Sequence, residues 1–482
     1  HTNNCAMTSE SNHLINPDIA PVPLEKRTWN KWHLAALWIG MSVCIPTYVL
    51  AGSMIEAGMT WWQSVLTVLL GNLIVLVPMI LMGHAGTKYG IPFPVLARAS
   101  FGTRGAHIPA IARSLVACGW FGIQTWIGGF AIYQALCALG WLDIAADTSV
   151  VPFLGITTTQ FTCFMVFWVL NFAIVVRGID CIKWLESWAA PFLIALGLAM
   201  LIWAAVKVGG ITKMFPPAPE DPAPFWPMFF PQLTAMVGFW ATLSLNIPDF
   251  TRYCKSQKDQ ALGQLIGLPT TMTLFSFIGI AVTSATIVIY GSAIWDPVEL
   301  VGKLGSTTAV VIALIALTVA TLSTNIAANV VSPANGFANL IPRKISFRTG
   351  GIITCVIGIV IMPWRLYNDP SGYIFTWLLG YSALLGPIAG IMICDYFIIR
   401  RMKLNSDALY DSRGQYSGLR WSTIFVLCVA VAPNLPGFIN AAFNTDLFPE
   451  FFNQLYSYAW FVGITIAFVL YGIFNLGERS RA

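Results

Sequence analysis

Long apolar stretches separated by short polar segments make up most of this 482-residue chain. A helix needs about 20 apolar residues to cross a hydrocarbon core of about 30 Å, and about twelve stretches approach that length. The pattern therefore predicts an all-α polytopic membrane protein. The predicted spans are 34–50, 62–82, 109–136, 161–176, 188–206, 230–245, 262–290, 308–331, 352–362, 373–399, 421–432 and 457–474.

Two of these spans carry helix-breaking residues at corresponding positions. The first is interrupted at residues 40–46, and the sixth at residues 237–240 with Pro248 near its end. Spans 1–5 and 6–10 can then form two repeats of opposite topology, because five is an odd number. Such a pair of breaks indicates a transporter binding site. The alternative is that Gly and Pro are simply common in membrane helices.

The repeats predict a division of the chain into five parts. These are an N-terminal segment (1–33), two five-helix repeats (34–206 and 207–399), two additional spans (400–474) and a C-terminal segment (475–482). The gaps between spans are only loop-sized, so any function must reside within the helical bundle.

The composition excludes several classes of protein. Charged residues make up 10% of the chain, against roughly 25% in soluble proteins. The net charge of +5 gives no case for a nucleic-acid partner. The ten cysteines form no CxxC pair, so a metal or disulfide framework is not expected. Nothing in the sequence indicates an obligate protein partner.

The basic residues predict the orientation of the spans. Of the 26 Lys and Arg residues, 22 fall in segments on the N-terminal side of the membrane. The other four are Lys207, Lys213, Lys303 and Arg365. Because Lys and Arg favour cytoplasmic loops, both termini are predicted to be cytoplasmic.

Ionisable residues lie at the ends of the predicted spans, and their positions disfavour an enzyme. No HExxH motif or pair of carboxylates lies within a span. Glu56, Arg113, Asp249 and Asp395 are near span ends, so a proton-coupled mechanism would have to use one of these edge groups. A sodium site needs no carboxylate, because carbonyls of broken helices and hydroxyls can hold the ion.

The eighth span carries a cluster of small polar side chains. Ala320, Ser323 and Thr324 share one helical face, which would direct a carbonyl and two hydroxyls toward the first break. Asn325 and Asn329 form a second stripe four residues apart. Hydrogen bonding between helices is the alternative explanation.

The third span places an indole and an amide on one face. Trp120 and Gln124 are four residues apart, and Trp240 stands beside the sixth-span break. Together with Asn329 they could form a slot for a flat heterocycle, with stacking on its faces and amide hydrogen bonds at its edge. The alternative is that these aromatic residues serve packing or interfacial anchoring.

Six long motifs resemble the nucleobase:cation symporter-1 family, which includes bacterial hydantoin and allantoin permeases and plant and fungal nucleobase transporters. The likeness runs from residue 25 to residue 474. The motifs are LAALWIGMSV with IPTY, GTKYGIPFPVLARASFG, GWFGIQTW, WATLSLNIPDFTRY, STNIAANVVSPAN and LGPIAGIMICDYF.

The resemblance implies a LeuT-like fold, with two inverted five-helix repeats and two extra C-terminal helices in a multi-pass membrane protein, expected in a bacterial inner membrane. It also implies roles for individual residues. Trp120 and Trp240 would sandwich the ligand ring, Gln124 and Asn329 would hydrogen-bond to it, and Leu378 would pack over it. Sodium would be held by carbonyls of Gly40, Val43 and Ala320 and by hydroxyls of Ser323 and Thr324.

This chain departs from the hydantoin transporter's pattern at two binding positions. Cys44 replaces a Gln in the first break, and Phe239, which follows Gly238, replaces a Gly before Trp240. The added ring predicts a smaller slot around these residues. FWATLSLNIPDF and TWLLGYSALLGP look more like the plant plastidic nucleobase transporter, which ranks uracil or a purine base above allantoin or a hydantoin.

The leading prediction is a secondary active symporter that couples sodium entry to uptake of a planar nucleobase by alternating access. An allantoin or hydantoin permease, and proton coupling, are the alternatives within the same family. A passive facilitator or channel is the alternative from another class.

Overall fold

The computed structural model describes residues 14–15, 19–177, 183–340 and 344–479, so the predicted terminal segments lie partly outside it. These described residues fold as a helical bundle without a β-strand. The helices are α1 (Lys31–Ser42), α2 (Ile45–Glu56), α3 (Trp61–Tyr89), α4 (Phe93–Phe101), α5 (His107–Ala138), α6 (Thr158–Arg177), α7 (Lys183–Val208), α8 (Phe225–Phe239), α9 (Ala241–Asn246), α10 (Pro248–Thr251), α11 (Gln257–Tyr290), α12 (Pro297–Gly302), α13 (Thr307–Asn329), α14 (Val331–Leu340), α15 (Phe347–Val360), α16 (Pro363–Tyr367), α17 (Leu379–Ile393), α18 (Trp421–Val431), α19 (Leu435–Phe443), α20 (Glu450–Tyr456) and α21 (Ala459–Arg479).

The spans confirm the predicted all-α polytopic architecture. Among the described residues, nine helices or helix pairs are long and apolar enough to cross a membrane, and the bent pair α1–α2 adds a tenth. The sixth and ninth predicted spans correspond to α8–α9 and to the shorter α15. The most apolar windows of α5 and of Gly372–Ile399 are 83% buried, whereas those of α6 and α7 are 28% buried. The first two therefore form the centre, and α6 and α7 face lipid.

The first break divides one span into α1 and α2. Their axes differ by 61°, and Val43 and Cys44 lie between them in non-helical conformations. Pro46 occupies the first turn of α2. A proline is tolerated there because the N–H it lacks would have no helical partner, whereas in a continuous helix it would clash with the preceding turn.

The second break separates α8 from α9 without a proline at the junction. Trp240 has φ −103° and ψ 10°, a conformation between the helical and extended regions. Pro248 then begins α10. The interruption falls at Trp240, the last residue of the segment that the sequence predicts to be broken.

Helices at corresponding positions of the two repeats pack against each other. The second span of each repeat, α3 and α11, are in contact, and so are the third spans, α5 and α13. Gly267 shows how closely α1 and α11 approach, since a Cβ there would lie 2.9 Å from the Cα of Ala35. Small residues allow such approach between membrane helices.

The two ends of the bundle differ in charge, as the sequence predicts. We call the end that carries Lys31, Lys88, Arg104, Lys258 and Arg400 the basic face. The opposite face carries Lys207, Lys213, Lys303 and Arg365. At the basic face, Arg400 Nε donates to Asp395 at 2.8 Å, and Tyr471 donates to the same carboxylate at 2.7 Å. This network joins the end of the tenth span to α21.

A buried carboxyl group lies at the opposite face, outside the spans. Asp296 is 7% exposed, and its Oδ1 accepts the backbone N–H of Val298 at 2.8 Å at the start of α12. Burial raises the pKa of Asp296 to about 7, against 3.8 ordinarily. The folded chain therefore holds this proton at pH values where the unfolded chain has released it.

Asp296→Asn should thus become relatively more stable than the parent as pH rises. The parent loses stability between about pH 4 and pH 7 because the carboxyl ionises freely in the unfolded chain while the buried carboxyl of the folded chain keeps its proton. Asn keeps an oxygen that can accept the Val298 N–H and carries no proton to lose. In thermal melts, the Tm of the variant minus the Tm of the parent should increase between pH 5 and pH 8 by on the order of a few degrees. A pH-independent difference would contradict the assignment.

Candidate functional site

A central cavity of about 370 Å³ lies between the two broken helices, α5 and α13. This volume lies within the roughly 300–1,000 Å³ typical of small-molecule sites. Nine of the residues expected to bind substrate or sodium line it, namely Gly40, Cys44, Trp120, Gln124, Phe239, Trp240, Ser323, Thr324 and Asn329.

The other four expected site residues lie outside the cavity lining. Val43 and Leu378 are buried, and Ala320 lines a separate groove against Pro191 and Phe192. Gly238 packs against the start of the tenth span, where a Cβ would lie 3.1 Å from the Leu378 carbonyl oxygen. Gly238 and Leu378 therefore act here as a close contact that positions the second break.

Phe239 stands between the two tryptophans expected to hold the ligand ring. Its ring centroid is 5.3 Å from that of Trp120 and 5.0 Å from that of Trp240, and both contacts are edge-on. Trp240 also meets Trp38 edge-on at 5.0 Å. The extra ring that the sequence substitutes for glycine thus narrows the space between the indoles.

A second group of aromatic residues covers Trp120 toward the opposite face. Tyr373, Trp377 and Tyr381 approach its ring at 6.2, 5.6 and 6.3 Å, and all three are buried. Sequence analysis missed this aromatic seal. Their spacing of four residues along one span is the signal that could have revealed it.

The cavity extends instead toward the basic face. Its lining includes Leu37 in the middle of α1, Arg113 in the second turn of α5, Phe250 in α10 and Ser332 at the start of α14. Gly40 and Ala327 in the same lining are exposed. The structure is therefore open on the basic side and closed by aromatic side chains on the other.

Thr324 links the residues expected for sodium to those expected for substrate. Its Oγ1 lies 3.3 Å from Gln124 Oε1 and 3.1 Å from the Ala320 carbonyl oxygen. A hydroxyl has one hydrogen, so it donates to one of these acceptors at a time. Gln124 thus receives this hydrogen bond only when the Thr324 hydroxyl points toward it and not toward the Ala320 carbonyl.

The two asparagines of the stripe on α13, Asn325 and Asn329, make different contacts. Asn325 Nδ2 lies 3.1 Å from Thr125 Oγ1 and 3.3 Å from Asn171 Oδ1, which joins α13 to α5 and α6. Asn329 donates to Asn325 Oδ1 at 3.1 Å and also lines the cavity. For Asn325, these contacts support the alternative explanation, in which the side chain forms hydrogen bonds between helices.

Three of the five expected sodium ligands, Gly40, Val43 and Ser323, have an oxygen atom without a hydrogen-bond donor among the described residues, whereas Thr324 donates to the Ala320 carbonyl. The break directs the amides of Val43 and Cys44 to Ile39 and Ser42, so no backbone amide in the described chain reaches the Gly40 or Val43 carbonyl. Ser323 Oγ is buried and has no hydrogen-bond partner among the same residues. Buried oxygens seldom remain unpaired, and carbonyl and hydroxyl oxygens suit a hard cation. The donor set fits sodium.

Two five-helix repeats whose broken helices face a central cavity define a LeuT-like membrane transporter. The family described as permeases for cytosine and purines, uracil, thiamine and allantoin matches residues 21–463. The chain belongs to this nucleobase:cation symporter-1 family of permeases, which confirms the family resemblance and that the chain is a transporter rather than an enzyme.

Several relatives align over nearly the whole chain. The purine-uracil permease NCS1 of Arabidopsis thaliana is 46% identical over 97% of this chain and 79% of its own. The allantoin permease of Bacillus subtilis is 38% identical over 96% and 93%. The inward-facing structure of Mhp1, 27% identical, superposes with a TM-score of 0.79 over 97% of this chain and 94% of that one. Its closed form with bromovinylhydantoin bound gives 0.75 over 97% and 96%.

The open side of the cavity makes a prediction about thiol labelling. Cys44 lines the cavity, whereas Cys355 is fully buried between helices. Because thiol modification needs access for the reagent, N-ethylmaleimide should modify Cys44 much faster than Cys355 in the purified native protein. Peptide mass spectrometry measures both sites in one sample. Equal rates would show that the cavity does not admit the reagent.

Proposed function

We propose that this chain is a secondary active symporter that imports a planar nucleobase together with sodium by alternating access. The observation that carries the proposal is the cavity between the two broken helices, where Trp120, Gln124, Trp240 and Asn329 share one surface. Indole rings supply stacking, and the two amides supply both donors and acceptors for a polar ring edge. A flat heterocycle matches this combination.

Uracil or a purine base is the favoured substrate. The relative whose name specifies purine and uracil is 46% identical, and the Bacillus allantoin permease is 38% identical. Phe239 packs edge-on against both indoles, which favours a flat ring in the remaining space. Allantoin or a hydantoin is the second candidate, supported by that Bacillus relative and by the hydantoin-bound form of Mhp1.

Sodium is the proposed coupling ion. Gly40, Val43 and Ala320 would contribute carbonyl oxygens, and Ser323 and Thr324 hydroxyls, to a site whose unpartnered oxygens suit the ion. The bound ion would supply positive charge that holds the first and eighth spans together. Proton coupling is the rival. Two buried acids are engaged, Asp395 with Arg400 and Asp249 with the Phe93 N–H, which leaves Asp296 at the opposite face as the acid that a proton-coupled mechanism would use.

The proposed orientation places the basic face in the cytoplasm, following the bias of Lys and Arg. The cavity is then open to the cytoplasm, and the aromatic seal lies on the outer side. A bacterial inner membrane is the proposed location. Residues 34–206 and 207–399 are the proposed repeats, with two further spans in 400–474.

A symporter can accumulate substrate against its concentration gradient, whereas a passive facilitator built on the same helical bundle cannot. Proteoliposomes given an inward sodium gradient should concentrate labelled uracil or purine above the external level and lose it when the gradient collapses. Equilibration without accumulation would contradict the symporter proposal.

Removing either slot indole should weaken substrate binding. Stacking of a base on an aromatic side chain is worth roughly 1–3 kcal/mol, so Trp120→Ala and Trp240→Ala should each lower affinity about 5- to 150-fold. Trp126→Ala is the matched control, since Trp126 is a buried indole of α5 that packs on Phe130 and Trp364. Binding is measured with labelled uracil on folded protein. Near-parental affinity in both slot variants would contradict the proposal that the two indoles stack on the ligand ring.

Removing the two hydroxyls at the proposed ion site should abolish sodium stimulation of substrate binding. Coupling between sites is typically about 5- to 150-fold, and in Ser323→Ala with Thr324→Ala this factor should fall to about 1. By reciprocity, substrate should also cease to promote sodium binding. Weak sodium-independent binding of the ring should remain.

Thr318→Ala with Thr321→Ala is the matched control for this pair. Both control hydroxyls lie on α13 and donate to carbonyls of their own helix, at Leu314 and Leu317. Their removal should leave sodium stimulation intact. Parent uptake that is unchanged when choline replaces sodium, at fixed pH and membrane potential, would overturn the sodium assignment.

A further inference from the structure

A cationic side chain lines the cavity toward the basic face, away from the tryptophan slot. Arg113 lies on α5, is 8% exposed and forms part of the cavity wall. It precedes Trp120 by seven residues, close to two helical turns, so both side chains lie on similar faces of α5 and about 10 Å apart along its axis.

Arg113 has no hydrogen-bond or contact ion-pair partner in the described part of the chain. Its Nε is completely buried without a hydrogen-bond acceptor, and no ion pair to it is present among those residues. Asp249 attracts the guanidinium electrostatically, but its own oxygens accept the Phe93 N–H at 2.7 Å and the Asn246 amide at 3.4 Å.

An unpaired buried guanidinium is costly, because a desolvated charge loses its hydration without compensation. Structural arginines elsewhere in this chain avoid that cost. Arg98 donates to the Leu409 carbonyl at 3.0 Å and lies over the Tyr410 ring, and Arg400 pairs with Asp395. Arg113 differs from both in lining the cavity, so its natural partner is a molecule that passes through it.

Arg113 shares the cavity lining with a hydroxyl from α14 and an aromatic ring from α10. α14 packs closely on α5, since a Cβ at Gly336 would lie 2.3 Å from Ser114 Oγ. The start of α14 contributes Ser332 to the cavity, and α10 contributes the aromatic ring of Phe250. A guanidinium offers only donors, so this end of the cavity prefers a ring edge that carries acceptors.

We propose that Arg113 forms an inner subsite that binds ring carbonyl oxygens of an oxo-substituted heterocycle on its way between the tryptophan slot and the basic face. This inference rests on the proposed function. Uracil, with two ring carbonyls, offers acceptors to the guanidinium on both sides of N3, and purines with ring carbonyls offer them as well. The subsite therefore adds affinity for oxo-substituted rings at the cytoplasmic side.

The subsite acts on one side of the membrane only. When the cavity is open to the basic face, ligand can reach both Arg113 and the slot. When it is open to the opposite face, entering ligand meets the slot first. Loss of Arg113 should therefore raise the KM for uracil measured from the basic face and leave the KM from the opposite face nearly unchanged.

The test uses the full chain in proteoliposomes of defined orientation, with labelled uracil supplied from either side. Arg113→Gln should raise the basic-face KM by about tenfold or more, the effect expected of one hydrogen bond to a charged group. Arg113→Lys, which retains charge but not the fork of donors, should recover part of the affinity and serves if the Gln variant does not fold.

Arg98→Gln is the matched control, because it removes a buried guanidinium that does not line the cavity. It should change neither KM. Equal increases in KM from both sides in Arg113→Gln, or an unchanged KM on both sides, would overturn the subsite while leaving the proposed function intact. A parent protein that moves neither uracil nor any purine would instead refute the proposed function.

Discussion

Interruption of the helical backbone at Val43–Cys44 and at Trp240 is the constraint on which the rest of the structure depends. Inside a membrane, backbone groups without helical partners must be buried in protein or face a cavity. The surrounding helices meet this requirement by enclosing both breaks, with α5 and α13 between them and close glycine contacts such as Gly267 and Gly238 holding the broken segments in place. The cavity thus forms because the unpaired backbone groups of two interrupted helices must be enclosed within the protein.

The breaks also explain why the expected ion and substrate residues lie together. The first break leaves the Gly40 carbonyl without an amide donor, and α13 faces it with Ser323 and Thr324 in the same cavity. The hydroxyl of Thr324 reaches Gln124 on α5. The hydroxyl of Thr324 is therefore the contact that joins the residues expected for the ion to those expected for the substrate.

Local patterns in the sequence were sufficient to predict the spans, both breaks and the shared faces of Trp120 with Gln124 and of Ser323 with Thr324, because hydropathy, proline and helical spacing are properties of neighbouring residues. The aromatic seal over Trp120 depends on how the tenth span packs against α5, which spacing within one span does not specify. Arg113 was recognised only as a charge near a helix end. Its lack of a partner became visible once folding showed that Asp249 serves the backbone of α4 instead.

The arrangement of α5 restricts how the cavity can change its accessible side. This one 32-residue helix carries Arg113 toward the basic face, Trp120 and Gln124 at the centre, and the surface on which Tyr373 and Trp377 close the other side. A continuous helix transmits displacement along its length, so shifting α5 alone would disturb the slot and the seal together. Under the proposed alternating access, opening the opposite face would require the tenth span to leave Trp120, while the short segments on the basic side of the breaks, α1 and α9–α10, would close beneath the slot. Trp120 belongs to both the slot and the aromatic seal. A ligand ring stacked on its face and the side chains packed against it would each favour a particular position of this one indole. Occupancy of the slot would then affect whether the seal is closed.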